Sequence, residues 1–186
     1  MIELFEKYVD WKILAYFLEH STSSIYVKEL SRILDISPGS ASSSLKRFKK
    51  WGLVEKEERG QTHLYKLNNE LVVVRELKIT FMLMQLQEIG FVDRLLKIDN
   101  NIISIALYGS YATGEYDEKS DMDLLLISPL KLDLNEFIEH IEKKLKRVVS
   151  IEIFSLSQWN KLKERADPFY NNVVMNNILL YGGELI

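Results

Sequence analysis

Two apolar runs typical of buried β-strands lie close together in the second half of the sequence, and the segment between them constrains the fold most. The first run, residues 102–108, stops abruptly at Gly109-Ser110. The second, residues 124–127, directly follows Ser120-Asp121-Met122-Asp123. Short apolar runs bounded by glycine and polar residues predict strands. We therefore predict a strand, a Gly-Ser turn, a short helix or turn, and two carboxylates at the mouth of a second strand.

Each part of this segment has a chemical use. A Gly-Ser turn leading into a helix presents backbone N–H groups and a hydroxyl to phosphates, and glycine permits close approach. Asp121 and Asp123 are two residues apart, so on a strand they point to the same side and can chelate one hard cation, for which magnesium is the obvious candidate. Taken singly, these features also fit an ordinary turn and solvated acids. Together they favour a compensating cation, since Lys119 is the only basic residue beside the acids.

The segment from Gly109 to Leu124 resembles the signature of the minimal nucleotidyltransferases of the polymerase-beta-like superfamily. The resemblance covers residues 100–182 and implies that Gly109 and Ser110 hold the nucleotide phosphates. It also implies that the two aspartates ligate divalent metal. Thr113 stands where many members carry a basic residue that helps neutralise phosphate charge, and we place it in the nucleotide-binding set.

The resemblance further implies a third carboxylate on a later strand. Residues 148–154 form the only plausible strand after the Asp pair, and Glu152 is the only acidic residue in it. Glu152 would face one side of the strand and its flanking isoleucines the other. The same alternation fits the polar face of an edge strand, so both interpretations stay open. On the functional interpretation, Asp121, Asp123 and Glu152 are the catalytic and metal-binding residues.

Helices are predicted around these strands. Residues 69–98 have helical apolar spacing, with a break at Gly90. Residues 134–147 predict another helix with a basic end, which is expected either to be solvated or to contact a polyanion. The basic residues are Lys143, Lys144, Lys146 and Arg147. Residues 159–181 predict a helix broken near Asp167-Pro168. The positions of this last segment expected to pack inward are Val173, Val174, Ile178 and Leu179.

The N-terminal part of the chain has a different pattern. Apolar spacing predicts helices over residues 4–18, 27–34 and 39–51, and two short strand-like runs follow at residues 53–56 and 63–67. Three helices with a tight turn before the third, followed by a hairpin, resemble a winged helix-turn-helix. The first helix includes Leu4 and Phe5.

The third predicted helix would be the one that reads DNA. It offers small hydroxyls for close approach and cations for phosphates. The hydroxyls are those of Ser40, Ser42, Ser43 and Ser44. The cations are Lys46, Arg47, Lys49 and Lys50. The alternative is a helical packing or dimerisation module, in which the basic run is a solvated helix end favoured by the helix dipole.

Composition limits the other classes of function. Residues 1–70 carry 11 Lys and Arg against 10 Asp and Glu, and the rest of the chain carries 13 against 17, so DNA contact needs a local basic face. The absence of cysteine excludes disulfides, a thiolate nucleophile and cysteine-ligated metal sites. The charged N-terminus is unlike a secretory signal, and no apolar stretch is long enough to span a membrane. We expect a cytoplasmic protein.

The sequence thus predicts an α+β protein in three parts, a winged helix-turn-helix domain at 1–68, a helical connector at 69–99 and a nucleotidyltransferase domain at 100–186 with a small mixed sheet flanked by helices. The expected reaction transfers a nucleoside monophosphate from a nucleoside triphosphate to an acceptor hydroxyl, and we expect AMP from ATP. The expected cofactor is a pair of Mg²⁺ ions, with Mn²⁺ as the alternative metal. The resemblance implies a HEPN-type protein partner as one acceptor. The alternative is a DNA-binding regulator whose second domain senses a nucleotide or partner without turnover. A homodimer is left open.

Overall fold

The computed structural model describes residues 7–60, 62–129 and 132–185. The chain divides into two compact units, one ending at Met84 and the other beginning at Gln85. The part of the first predicted helix that includes Leu4 and Phe5 lies outside the described residues. The predicted boundaries at residues 68 and 99 stay predictions.

The first unit has the order of elements expected of a winged helix. Its sheet is antiparallel, with strand order β1-β3-β2. The elements are α1 (Val9–Glu19), β1 (Ile25–Tyr26), α2 (Val27–Ile33), α3 (Pro38–Lys50), β2 (Val54–Arg59) and β3 (Thr62–Leu67). The hairpin strands extend further into the polar segment than predicted, because backbone pairing from Val54↔Leu67 to Arg59↔Thr62 does not require apolar side chains. The short strand β1 was not predicted.

Helix α3 is defined by its ends and its buried face. Ser37 caps it by accepting a hydrogen bond from the backbone N–H of Ser40 at 3.0 Å, and Pro38 occupies the first turn. Leu45 and Phe48 are buried in the core of this unit, which also contains Phe17 of α1. The opposite side of α3 is therefore left to solvent.

The second unit is a small mixed sheet with helices, as predicted. Its sheet has strand order β6-β5-β4-β7, in which β5 and β6 are parallel and the other pairs are antiparallel. The strands are β4 (Ser104–Tyr108), β5 (Met122–Ile127), β6 (Val149–Phe154) and β7 (Asn177–Gly182). Helix α4 (Val72–Glu88) contains the point of division, and most of it, Val72 to Met84, belongs to the first unit. The helices of the second unit that follow it are α5 (Phe91–Ile98), α6 (Ser110–Thr113), α7 (Asn135–Leu145), α8 (Leu156–Glu164) and α9 (Pro168–Met175).

Two expectations about the helices can be compared directly with these bounds. Gly90 separates α4 from α5 with a φ of 64°, as its position in the sequence indicated. Among the described residues, no helix combines the length and the apolar character needed to cross a membrane.

The prediction for residues 159–181 is wrong in its last part. The helix breaks before Pro168 as expected, but Ile178 and Leu179 lie in strand β7 and not in a helix. Leu179 is 37% exposed. The strand β6 is consequently not the only strand after the Asp pair, since β7 also follows it.

Local contacts and the sheet edge explain why a strand forms there. The side chain of Asn177 donates hydrogen bonds to the carbonyls of Val173 and Val174 at 2.9 and 3.1 Å, which ends α9. The apolar run that follows pairs with the edge of β4, whose N–H and C=O groups need partners. Gly182 closes this pairing, because a Cβ there would lie 1.9 Å from the carbonyl oxygen of Ile103.

Candidate functional site

The Gly-Ser turn and the second aspartate meet where β4 ends and β5 begins. The antiparallel register pairs Tyr108 with Asp123, so Gly109 follows directly beside that carboxylate. Gly109 has a φ of 69°, and a Cβ built on it would lie 2.7 Å from Oδ2 of Asp123. Glycine is therefore required both for the backbone conformation and for the close approach of the carboxylate.

Ser110 begins the short helix α6, which is held in place by backbone hydrogen bonds and by aromatic packing. Its carbonyl accepts backbone N–H groups of Glu115 and Tyr116 at 2.9 and 3.2 Å. Tyr111 is fully buried and stacks on Tyr116 with ring centroids 4.1 Å apart. The hydroxyl of Thr113 donates to the Ser110 carbonyl at 3.3 Å, so it is engaged within the helix. The turn that the sequence assigned to phosphates is thus anchored by aromatic packing.

The two aspartates lie at the start of β5 and differ in exposure. Asp121 is exposed and Asp123 is half-buried. Burial, and next the negative charge of Asp121, raise the pKa of the Asp123 carboxyl above its usual range. Within the described parts of the chain, neither carboxylate has a hydrogen bond or an ion pair. A bound cation would relieve this repulsion.

Glu152 lies on the strand beside the aspartates. In the parallel register Ser150 pairs with Asp123 and Glu152 with Leu125, so Glu152 is on the same face of the sheet as Asp123. Burial, followed by the charges of Asp123 and Glu152, raises the pKa of Tyr108 to about 12. Both carboxylates therefore act on the same phenol.

The three carboxylates are nevertheless not a preassembled cluster. Across residues 7–60, 62–129 and 132–185, no group of three or more His, Asp or Glu side chains is placed to hold a metal ion. The structure brings Asp123 against Gly109 and places Glu152 on the same face. Their assignment as ligands stays a prediction.

The residues predicted to contact DNA differ in their exposure to solvent. Ser40, Ser43, Lys46, Lys49 and Lys50 are exposed on α3, and Ser42 is half-buried. The expectation that Ser44 is an exposed hydroxyl is wrong, since it is 1% exposed and donates a hydrogen bond to Asp10 of α1. It faces inward because Ala41, Leu45 and Phe48 of the same helix define the buried side.

Arg47 is held by the same acidic residue of α1. Its Nη2 donates to both carboxylate oxygens of Asp10, at 2.6 and 2.8 Å, and lies 3.2 Å from the hydroxyl of Ser44. The lysines of α3 are exposed to solvent, whereas Arg47 is paired with Asp10. A phosphate contact by Arg47 would have to compete with Asp10.

Sequence reasoning also missed Asp117 and Arg147. The basic end of the helix predicted at 134–147 was expected to be solvated, yet Arg147 is half-buried and donates from Nη1 to the carbonyl of Asp117 at 2.9 Å. The spacing Asp117-x-x-Ser120 was the available signal for the turn, because Asp and Ser side chains commonly close turns over such distances, but it does not point to Arg147.

We predict that Gly109→Ala strongly weakens binding of Mg²⁺ and ATP. The added methyl would be forced against the Asp123 carboxylate at 2.7 Å, in a backbone conformation that disfavours side chains. Binding can be followed by calorimetry. Gly60→Ala is a matched control, since Gly60 has a similar φ of 61° but a Cβ there would meet nothing within 4 Å. Equal binding by both variants and the unchanged chain would contradict the site.

Comparison with known proteins identifies the class of the second unit. Residues 88–180, half of the chain, match the nucleotidyltransferase domain family, and the chain belongs to that family. Residues 7–63 match the MarR family, in agreement with the winged helix of the first unit. The α+β fold class and the family resemblance are both confirmed.

Individual relatives share only part of their length with this chain. A Methanocaldococcus jannaschii protein named "Putative protein adenylyltransferase" is 32% identical over 87 residues, which cover 46% of this chain and 61% of the relative. A solved toxin–antitoxin structure with AMP-PNP is 21% identical at a TM-score of 0.39, covering 50% of this chain and 72% of that one. A "Possible transcriptional regulator" from Methanosarcina mazei is 16% identical at a TM-score of 0.33, covering 53% and 86%.

Proposed function

We propose that the second unit transfers AMP from ATP to an acceptor hydroxyl in a reaction that requires magnesium. The observation that carries this proposal is the contact between the Gly-Ser turn and a carboxylate, in which a Cβ on Gly109 would lie 2.7 Å from Asp123 Oδ2. A phosphate-binding turn and a cation-binding carboxylate in contact are what a metal–triphosphate complex needs. Membership in the nucleotidyltransferase domain family supports the same chemistry.

The carboxylates fit a divalent cation by their chemistry. Oxygen donors suit Mg²⁺ and Mn²⁺. Burial, followed by the charge of Asp121, raises the pKa of Asp123, and a cation beside it would favour the ionised carboxylate. We assign Asp121, Asp123 and Glu152 as the residues that hold the metal. When bound, a pair of divalent ions supplies positive charge for the attacking and leaving oxygens.

Each residue of the proposed site then has its own role in the reaction. Gly109 and Ser110 bind and orient the phosphates of ATP through the backbone and the hydroxyl. The acceptor oxygen attacks the α-phosphorus of ATP. The bond between the α-phosphorus and the oxygen that bridges it to the β-phosphorus breaks, and pyrophosphate leaves. Glu152 is the carboxylate to which we assign the acceptor proton. Thr113 supplies no positive charge to the phosphates. The affinity of this chain for ATP therefore depends more heavily on the metal than it would with a basic residue at this position.

We propose a protein as the acceptor, of the HEPN type that the sequence resemblance implies. The name of the M. jannaschii relative, a protein adenylyltransferase, supports a protein hydroxyl over a nucleic acid. This chain spans about three fifths of that relative, so the acceptor is inferred from the shared part only. Calorimetry with ATP, in Mg²⁺ and then in excess chelator, tests the nucleotide site, and metal-independent binding would contradict it.

We propose DNA binding as a second function, located in the first unit. The MarR family match and the exposed lysines of α3 support it. A nucleotide-sensing regulator without turnover is the competing account of the whole chain. It predicts Mg²⁺-dependent ATP binding together with DNA binding, but no release of pyrophosphate.

We predict that Lys46→Ala combined with Lys49→Ala weakens duplex binding and flattens its salt dependence. The slope of log K against log salt is negative, and each lost phosphate contact reduces its magnitude by about 0.9. Fluorescence anisotropy over a range of salt concentrations measures this slope. Lys163→Ala, which removes an exposed lysine from α8 of the other unit, is the control. If the double variant and the control have the same slope, these lysines do not contact DNA.

A further inference from the structure

A closed turn over residues 117–120 immediately precedes Asp121. The backbone N–H of Asp117 donates to the hydroxyl of Ser120 at 2.9 Å, and that hydroxyl donates to Oδ1 of Asp117 at 3.0 Å. The backbone N–H of Lys119 donates to the same oxygen at 2.8 Å. The two side chains therefore lock the backbone that leads into Asp121.

The turn is also tied to other elements of the second unit. Arg147, between α7 and β6, donates to the carbonyl of Asp117 at 2.9 Å. The hydroxyl of Tyr111 on α6 donates to the carbonyl of Ser120 at 3.4 Å. The N–H of Met122 donates to the carbonyl of Val148 at 2.9 Å. The turn is thus connected both to the helix of the Gly-Ser segment and to the chain that enters β6.

These connections matter because Asp121 is exposed and, among the described residues, none forms a hydrogen bond or an ion pair with its carboxylate. Its position is set by the backbone on either side, which is the locked turn before it and the start of β5 after it. Metal ligands must be held within roughly 0.5 Å of their productive position, which requires supporting contacts.

We propose that Arg147 and the Asp117–Ser120 turn are positioning residues that fix Asp121 relative to the strand carrying Glu152. Arg147 joins the backbone before β5 to the backbone before β6, so it couples the carboxylates of neighbouring strands. It does so through the backbone carbonyl of Asp117. This inference rests on the proposed metal site.

The test is a titration of the whole chain with Mn²⁺, in the absence of nucleotide, followed by electron paramagnetic resonance. Arg147→Met keeps an elongated side chain and removes the donor, and we expect it to weaken Mn²⁺ binding about tenfold or more. Arg147→Lys retains a donor and should recover part of the loss. Lys144→Met, at an exposed position near the end of α7, the helix that precedes Arg147, is the control and should bind as the unchanged chain does.

Two further variants separate the possible failures. Ser120→Ala removes the hydroxyl that closes the turn, and it should weaken Mn²⁺ binding in the same direction, so it decides the question if Arg147→Met does not fold. Asp121→Asn shows whether the Mn²⁺ signal comes from the site. Loss of the signal in Asp121→Asn with unchanged binding in folded Arg147→Met and Ser120→Ala would overturn this inference alone. An unchanged signal in Asp121→Asn would overturn the metal site itself.

Discussion

Replacing Asp123 with Asn is expected to abolish magnesium-dependent ATP binding and to lower turnover by about 10²–10³-fold or more, while the chain stays folded. Asn keeps the size of the side chain beside Gly109 but removes the negative charge that holds the cation. Because the pKa of Asp123 is raised in the folded protein, the stability contributed by its protonated form is lost as the pH rises through that pKa. The neutral amide should therefore not lower the free energy of unfolding at neutral pH.

Calorimetry with ATP and Mg²⁺, together with thermal unfolding, measures these two effects separately. Asp93→Asn, which changes an exposed acid on α5 of the same unit, is the matched control and should bind ATP normally. The double variant with Asp121→Asn should be little worse than either single change, since residues that act as a unit are not additive. If folded Asp123→Asn binds ATP normally, the carboxylate of Asp123 is not part of the nucleotide site.

Replacing Glu152 with Gln is expected to separate binding from catalysis. The aspartates alone can hold a metal–nucleotide complex, so ATP binding should survive, or improve as like-charge repulsion decreases. Turnover should fall by about 10²-fold or more, because a positioned carboxylate and its proton-accepting capacity are lost. The face that Glu152 shares with Asp123 is the structural reason for this expectation.

The measurement compares kcat and ATP affinity for Glu152→Gln with those for Glu164→Gln, an exposed acid at the end of α8. The control should match the unchanged chain in both. If Glu152→Gln keeps full turnover, the third carboxylate of the metal site lies elsewhere. Glu152 then only belongs to the polar face of its strand. A chain that only senses nucleotide would show no turnover before the change and an unaltered DNA response after it.

The central motif was predictable because its information is local. Asp121 and Asp123 share a side through a spacing of two residues, and Gly109 and Ser110 directly follow a strand that is apolar apart from Ser104. Antiparallel pairing of β4 with β5 then brings the two ends of one short segment together. The face of Glu152 followed in the same way from alternation along a strand.

The errors concern contacts between residues far apart in the chain. Ser44 was counted as exposed because its hydroxyl resembles those of its neighbours, but its partner Asp10 lies 34 residues earlier. Strand β7 was taken for helix because its short apolar run fits either period, and the open edge of β4 decides between them. Arg147 meets Asp117 across 30 residues, and no local pattern indicates that contact.

The central claim, that this chain transfers AMP, is tested most directly by incubating it with ATP labelled at the α-phosphate, with Mg²⁺ and with candidate HEPN-type acceptor proteins. The account predicts label on the acceptor and release of unlabelled pyrophosphate, both lost when Mg²⁺ is chelated and in Asp123→Asn. ATP labelled at the γ-phosphate should leave the acceptor unlabelled. Mg²⁺-dependent ATP binding with no pyrophosphate released under any of these conditions, or label transferred from the γ-phosphate instead, would contradict it.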